Sequence, residues 1–111
     1  MVSTQIIASD LERIVYDWLV RRGISFDFQT SFSGGHYQLG GSVVDFLIGN
    51  LAWRVQGEYW HRGVEKAGAD IIQREMLESL GYTVVDLRAD DLENMANETL
   101  TKALRGEEML R

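Results

Sequence analysis

One carboxylate stands where its neighbours give it no structural reason to be. Asp45 lies between Val44 and Phe46 in Val43–Ile48, a short run of β-branched and aromatic residues. A second apolar run, 51–55, follows after only Gly49-Asn50, and two such runs joined by a Gly-containing pair read as a β-hairpin. Burying a carboxylate there costs several kcal/mol unless it is paired or binds a cation. The second run leaves the apolar pattern at Gln56 and continues through Gly57, Glu58, Tyr59 and Trp60 to His61. A core hairpin has no use for such an exit. A carboxylate that calls for a cation, with an imidazole able to accept a proton near neutral pH, is material for hydrolytic chemistry.

The elements that position these residues follow from periodicity. Ser9-Asp10-Leu11-Glu12 fits a capping box, with Glu12 three residues after Ser9. Leu11, Ile14, Val15, Trp18 and Leu19 then recur at helical spacing until Gly23, just after Arg21-Arg22, closes an amphipathic first helix. Residues 25–32 alternate, with Phe26, Phe28, Thr30 and Phe32 on one parity, and predict a half-buried strand. Residues 33–41 are glycine-rich around His36, Tyr37 and Gln38 and predict a loop. After the hairpin, residues 65–80 predict a second helix whose inner stripe is Ala69, Ile72, Met76, Leu77 and Leu80, closed by Gly81. Asp70 and Arg74 are spaced as an i,i+4 surface pair on it. Residues 82–87 predict a fourth strand, where consecutive Val84 and Val85 suggest burial on both faces. Asp90-Asp91 opens a final helix, about 91–104, carrying Met95, Leu100 and Leu104.

The order α-β-β-β-α-β-α predicts an α/β fold. A strand that follows a helix most simply joins the sheet parallel to an existing strand through a right-handed crossover. The result is a mixed four-stranded sheet flanked by helices. At 111 residues the chain is expected to form a single domain, with 45% apolar and 25% charged residues typical of globular proteins. Neither an apolar run long enough to span a bilayer nor a basic-then-apolar signal segment is found, so no membrane partner is expected. The absence of Cys rules out disulfides and thiolate zinc sites and fits a cytoplasmic protein.

The net charge of −6 excludes a nucleic-acid coat protein of the usual basic kind. The excess is uneven. Residues 1–64 hold five basic and six acidic side chains, and residues 65–111 hold six and eleven. The hairpin half is therefore nearly neutral, which leaves room for local binding of nucleic acid through a cation and a few arginines.

With an Asp in the second strand and a site continuing along the third, this order resembles the restriction-endonuclease-like PD-(D/E)XK nuclease superfamily. Val55-Gln56-Gly57-Glu58-Tyr59-Trp60-His61 is similar to the corresponding stretch of very-short-patch-repair endonucleases. The overall plan also resembles phage Holliday-junction-resolvase-like nucleases. The resemblance covers about residues 9–93 and implies a single-domain restriction-endonuclease-like fold. It makes Asp45 a Mg²⁺ ligand, Val55 a second ligand through its backbone carbonyl, and His61 the general base. Glu12 matches an acidic residue that holds a water at the metal, while Tyr59 and Trp60 match aromatics that stack on DNA bases. Arg62, Lys66, His36 and Tyr37 are the further candidates for DNA contact.

The chain departs from the pattern where the usual acid and lysine fall, on Arg54 and Gln56. An alternative register makes Gln56 the catalytic ligand and Glu58 the lysine substitute. Residues 54, 56 and 58 share one face of a strand, so both registers stay open. Other roles stay open as well: Glu12 as a capping-box residue only, and Tyr59 and Trp60 as a cap on the sheet end. Trp18 and Trp53 are expected in the core.

The function expected is a Mg²⁺-dependent DNA endonuclease, with Mn²⁺ as a substitute, acting on branched or mismatched DNA in repair or recombination. A cytoplasmic setting in a bacterial or phage-infected cell and a homodimer go with that expectation, since a junction resolvase cuts two strands symmetrically. The alternative is a non-catalytic DNA-binding or dimerisation domain that retains the fold.

Overall fold

The computed structural model describes residues 10–31, 43–56 and 64–109, with the side chains of 30, 31, 43, 64–67, 69 and 70 excepted. Ser9 and the glycine-rich stretch 33–41 lie outside the described residues. The elements are α1 (Asp10–Arg21), β1 (Asp27–Ser31), β2 (Val43–Ile48), β3 (Leu51–Gln56), α2 (Val64–Ser79), β4 (Thr83–Arg88), α3 (Ala89–Asn94) and α4 (Ala96–Ala103). The strands lie side by side in chain order. β1, β2 and β3 pair antiparallel, and β4 joins β3 in parallel, with Arg54 beside Asp86. This is the mixed four-stranded sheet that the element order predicts.

Alternation divides the core between the two faces of the sheet. On one face Phe46, Trp53, Val85 and Leu87 pack against Val15, Trp18 and Leu19 of α1, Leu92 of α3, and Leu100 and Ala103 of α4. On the other, Val44, Ala52 and Val84 pack with Leu77 of α2. Consecutive Val84 and Val85 thus serve opposite faces. Both described tryptophans are buried and find acceptors, as an indole N–H must when it leaves water. Trp18 Nε1 donates to Asn97 Oδ1 at 3.1 Å, and Trp53 Nε1 to the Ala103 carbonyl at 3.2 Å. These two bonds tie α1 and the sheet to α4. Tyr16 meets Phe26 and Phe28 edge-on, with centroids 5.2 and 5.6 Å away, and fastens the same helix over β1.

Two expectations need correction. The inner stripe of α2 is only partly the expected one: Leu77 is buried with Met76 packed beside it, but Ile72 and Leu80 are 51% and 58% exposed and Gln73 is buried instead. The face is rotated because a buried polar cluster on β3 and β4 draws in Gln73 and Arg74, as described below. The final helix is also two helices, broken at Met95 (φ −143°, ψ 51°), which is 43% exposed. Here Asn94 Nδ2 donates to the Asp90 carbonyl and Thr99 Oγ1 to the Asp91 carbonyl, so side chains compete with the helix for its own acceptors.

The rotated face is testable. Leu77→Ala is expected to cost about 2–4 kcal/mol of unfolding free energy, and Ile72→Ala no more than about 0.5 kcal/mol. Urea denaturation of both variants checks this; equal losses would restore the stripe read from spacing.

Candidate functional site

At Asp45, β2 stops pairing normally on both sides. Toward β1 the register runs through Phe28↔Phe46 and Thr30↔Val44 but skips Gln29 and Asp45, and Gln29 has a left-handed φ of 56°. Such a conformation is uncommon outside glycine and marks a constrained spot. Toward β3 the ladder runs from Ile48↔Leu51 to Phe46↔Trp53 and goes no further. Alternation breaks at the same place. Phe46 belongs to the α1-side core, whereas Val44, two residues earlier, packs with Leu77 on the other side. Outside the regular ladder, Asp45 uses its side chain as a backbone-like acceptor, and the Val55 N–H donates to its Oδ2 at 2.7 Å. The N–H and C=O of a strand residue point toward the same neighbour. The Val55 carbonyl therefore faces the same gap.

The first turn of α1 delivers the second acid. Val15, Trp18 and Leu19 hold the helix on the sheet, and Glu12, on the same side, is only 9% exposed. Its carboxyl lies within hydrogen-bonding reach of Asp45. Burial is the main force pushing the Asp45 carboxyl up from 3.8 to about 7. The Val55 N–H opposes that shift, while Glu12 adds to it through both its charge and its hydrogen bond. Arg54 draws it down by a smaller amount. Asp45 thus favours its protonated form up to about neutral pH, chiefly because it is buried.

The opposite face of β3 carries a different kind of cluster. Arg54, 6% exposed, grips Asp86 with two bonds of 2.7 and 3.0 Å and donates to Gln73 Oε1 at 3.0 Å. Gln56 Nε2 donates to Asp86 at 3.2 Å, and Arg74 Nη2 donates to it at 2.9 Å. Glu108 accepts from Arg74 and from the Asp86 N–H. Burial works to raise the Asp86 pKa, but Arg54 and then Arg74 outweigh it and hold the carboxyl below its ordinary value. The charges of this cluster compensate one another, and the Asp86 and Asp45 pKa values move in opposite directions.

The structure therefore brings Glu12, Asp45 and the backbone of Val55 together, and does not bring Gln56 to them. Arg54 and Gln56 do share a face, as their spacing predicts, but it is the face of Asp86. Glu58, Tyr59, Trp60, His61, Arg62, His36 and Tyr37 lie outside the described residues, as does the side chain of Lys66 on α2. The Asp70 side chain does too, and Arg74 is engaged instead by Asp86, Glu108 and Glu78. Asp86 was legible by the logic applied to Asp45: it is another lone carboxylate in an apolar strand, and the parallel register sets it beside the lone Arg54.

The donor set can be tested against a metal. Among the described residues no three His, Cys, Asp or Glu side chains converge on one point. A site built from Glu12, Asp45 and the Val55 carbonyl offers hard oxygens only, and too few to enclose an ion. This suits Mg²⁺, which retains several waters and seldom uses an all-protein cage. Ionising Asp45 in this buried setting beside Glu12 is unfavourable, and a divalent cation would offset that cost. Among the described residues no helix is long and apolar enough to cross a membrane.

No family model and no curated protein matches the chain. One solved structure similar to it is the Homing Endonuclease I-Bth0305I Catalytic Domain, with a TM-score of 0.65 and 24% identity. The match spans 88% of this chain and 96% of that one. An identity this low speaks for the fold alone: this chain shares the architecture of that domain.

The raised Asp45 pKa has a sign that can be measured. Between about pH 4 and 7 the folded state holds a proton that the unfolded chain has released, so metal-free stability falls as pH rises through that window. Asp45→Asn, which removes the charge and keeps the shape, is expected to match wild type at pH 4. At pH 8 it should be the more stable by on the order of 2 kcal/mol. Urea unfolding in EDTA across this range checks the expectation, and a difference independent of pH would contradict it.

Proposed function

We propose that the protein is a Mg²⁺-dependent endonuclease that hydrolyses phosphodiester bonds in structured DNA, with four-way junctions and mismatched duplexes as the substrate class. The observation that carries this reading is the Glu12–Asp45 pair, set beside the Val55 backbone where β2 and β3 part. Buried like charges are costly, and they cluster at sites that bind cations or move protons. The fold shared with a homing endonuclease catalytic domain and the sequence resemblance of 55–61 to repair endonucleases support the same class.

In this reading Asp45 and the Val55 carbonyl hold the cation, with Mn²⁺ able to replace Mg²⁺, and Glu12 orients a water by accepting its hydrogen bond. The cation, when bound, stabilises charge developing on the phosphate oxygens and makes the attacking water more acidic. His61 accepts that water's proton, and a neutral imidazole is suited to do so near pH 7. Tyr59 and Trp60 offer stacking surfaces to bases unpaired at a junction or mismatch, worth roughly 1–3 kcal/mol per base. Arg62, Lys66, His36 and Tyr37 contact the DNA backbone, and Glu58 is the remaining candidate oxygen ligand. A homodimer presents two such sites to the two strands of a junction. Gln56 supports the exit of β3 through Asp86 and does not ligate.

The pairing of Arg54 with Asp86, at the strand position where the resembled nucleases carry their acid, favours a second reading. In it the domain binds DNA without cutting. Labelled nicked, mismatched, flapped and four-way DNAs incubated with Mg²⁺, Mn²⁺ or EDTA separate the two. Cleavage of the branched or mismatched substrates is expected with either metal and not with EDTA. Asp45→Asn and His61→Ala are each expected to lower kcat at least about a hundredfold while retaining DNA binding in Ca²⁺. Wild-type binding in Ca²⁺ without cleavage in any metal would select the second reading.

A further inference from the structure

The arrangement on the far face of β3 has a consequence for the near one. Arg54 and Gln56 flank Val55, the residue whose N–H holds Asp45. Both of their side chains end on one carboxylate, Asp86. We propose that Asp86 is a positioning residue: by fixing Arg54 and Gln56 it sets the line of β3 at Val55, and through Val55 the orientation of the Asp45 carboxylate.

The reason lies in how β3 is held. On the β2 side its backbone ladder ends at Trp53, so at Val55 the bond to the Asp45 side chain stands in for strand pairing. On the β4 side the parallel register continues through Val55↔Leu87 and Gln56↔Arg88. A strand end paired on one side frays unless side chains anchor it. Asp86 provides the anchor, and it is itself immobilised. The two-pronged Arg54 contact has the geometry that makes arginine–carboxylate pairs strong and directional. Arg74 reaches it from α2, and Glu108 takes its backbone N–H. Asp86 is thus fixed from three directions, and its charge is compensated on the spot. Fold stability alone does not require this: replacing a buried ion pair with apolar residues of similar volume is often neutral or stabilising. Catalytic geometry does require it, because a displacement of about 1 Å at a site can cost a hundredfold in rate. The kinetic part of this proposal rests on the endonuclease reading; the positional part does not.

Two variants test it: Asp86→Asn, and the double change Arg54→Met/Asp86→Leu, which leaves no buried charge unpaired should the first fail to fold. The first measurement is amide hydrogen exchange at Val55 relative to Trp53 in metal-free protein. The proposal expects Val55 to exchange about tenfold faster or more while Trp53 keeps its wild-type rate. Equal acceleration at both amides, which a merely stabilising pair would give, overturns the proposal, and so does no change at either. The second measurement is cleavage, where kcat is expected to fall about ten- to a hundredfold with KM within about twofold. An active wild type whose variants loosen Val55 yet keep kcat overturns the role in chemistry. If the wild type cuts no DNA, the endonuclease reading fails while the exchange ratio still decides whether Asp86 positions Val55.

Discussion

Two carboxylates held together out of water are the constraint to which the rest of this structure answers. Glu12 and Asp45 repel each other, and the fold keeps them adjacent because the hydrophobic face of α1 has nowhere else to go. Val15, Trp18 and Leu19 are fully or nearly fully buried against the sheet, and each such side chain contributes about 1.5–3 kcal/mol. Glu12 rides on the same side of the helix and is carried down with them. Asp45 meets it because β2 leaves both ladders at that residue. Hydrophobic burial takes both carboxyls out of water, and that burial, more than Glu12, raises the Asp45 pKa.

β3 separates two charge clusters with opposite characters. On the α2 side, Arg54, Asp86, Arg74 and Glu108 alternate in sign, and the Asp86 pKa lies below its ordinary value. On the α1 side burial and Glu12 raise the Asp45 pKa and outweigh the Val55 N–H and Arg54, which act to lower it. A compensated cluster is expected of structure. The other, where β2 and β3 part, is the one we propose for the cation, and the two are linked through three consecutive residues of β3.

The fold was legible in the sequence wherever periodicity was strong: the first helix, the hairpin at Gly49-Asn50 and the parallel fourth strand all stand as the spacing implied. Reading failed where polar side chains intervene. Ile72 and Leu80 look like core by spacing, but Gln73 is drawn to Arg54 and Arg74 to Asp86, and the Arg54–Asp86 pair itself joins residues 32 positions apart. Met95 looks like mid-helix, but its backbone leaves the helical region (φ −143°, ψ 51°), with the Asn94 and Thr99 side chains donating to the Asp90 and Asp91 carbonyls beside the break. In the site, Asp45 announced itself as a carboxylate in an apolar strand. Gln56 donates to Asp86 on the α2 side, and strand parity groups it with Arg54 without saying which face meets Glu12.

On the proposal that Asp45, buried beside Glu12, is a divalent-cation ligand, a proton and the cation compete for its carboxylate. Carbon-13 carboxyl shifts of the two side chains, followed from pH 4 to 9 with and without Mg²⁺, test it most directly. In the absence of metal the Asp45 signal should titrate with a midpoint near 7. Saturating Mg²⁺ should lower that midpoint by more than about one unit, since binding requires the ionised carboxylate. An Asp45 midpoint near 4 that Mg²⁺ leaves unmoved would contradict the account.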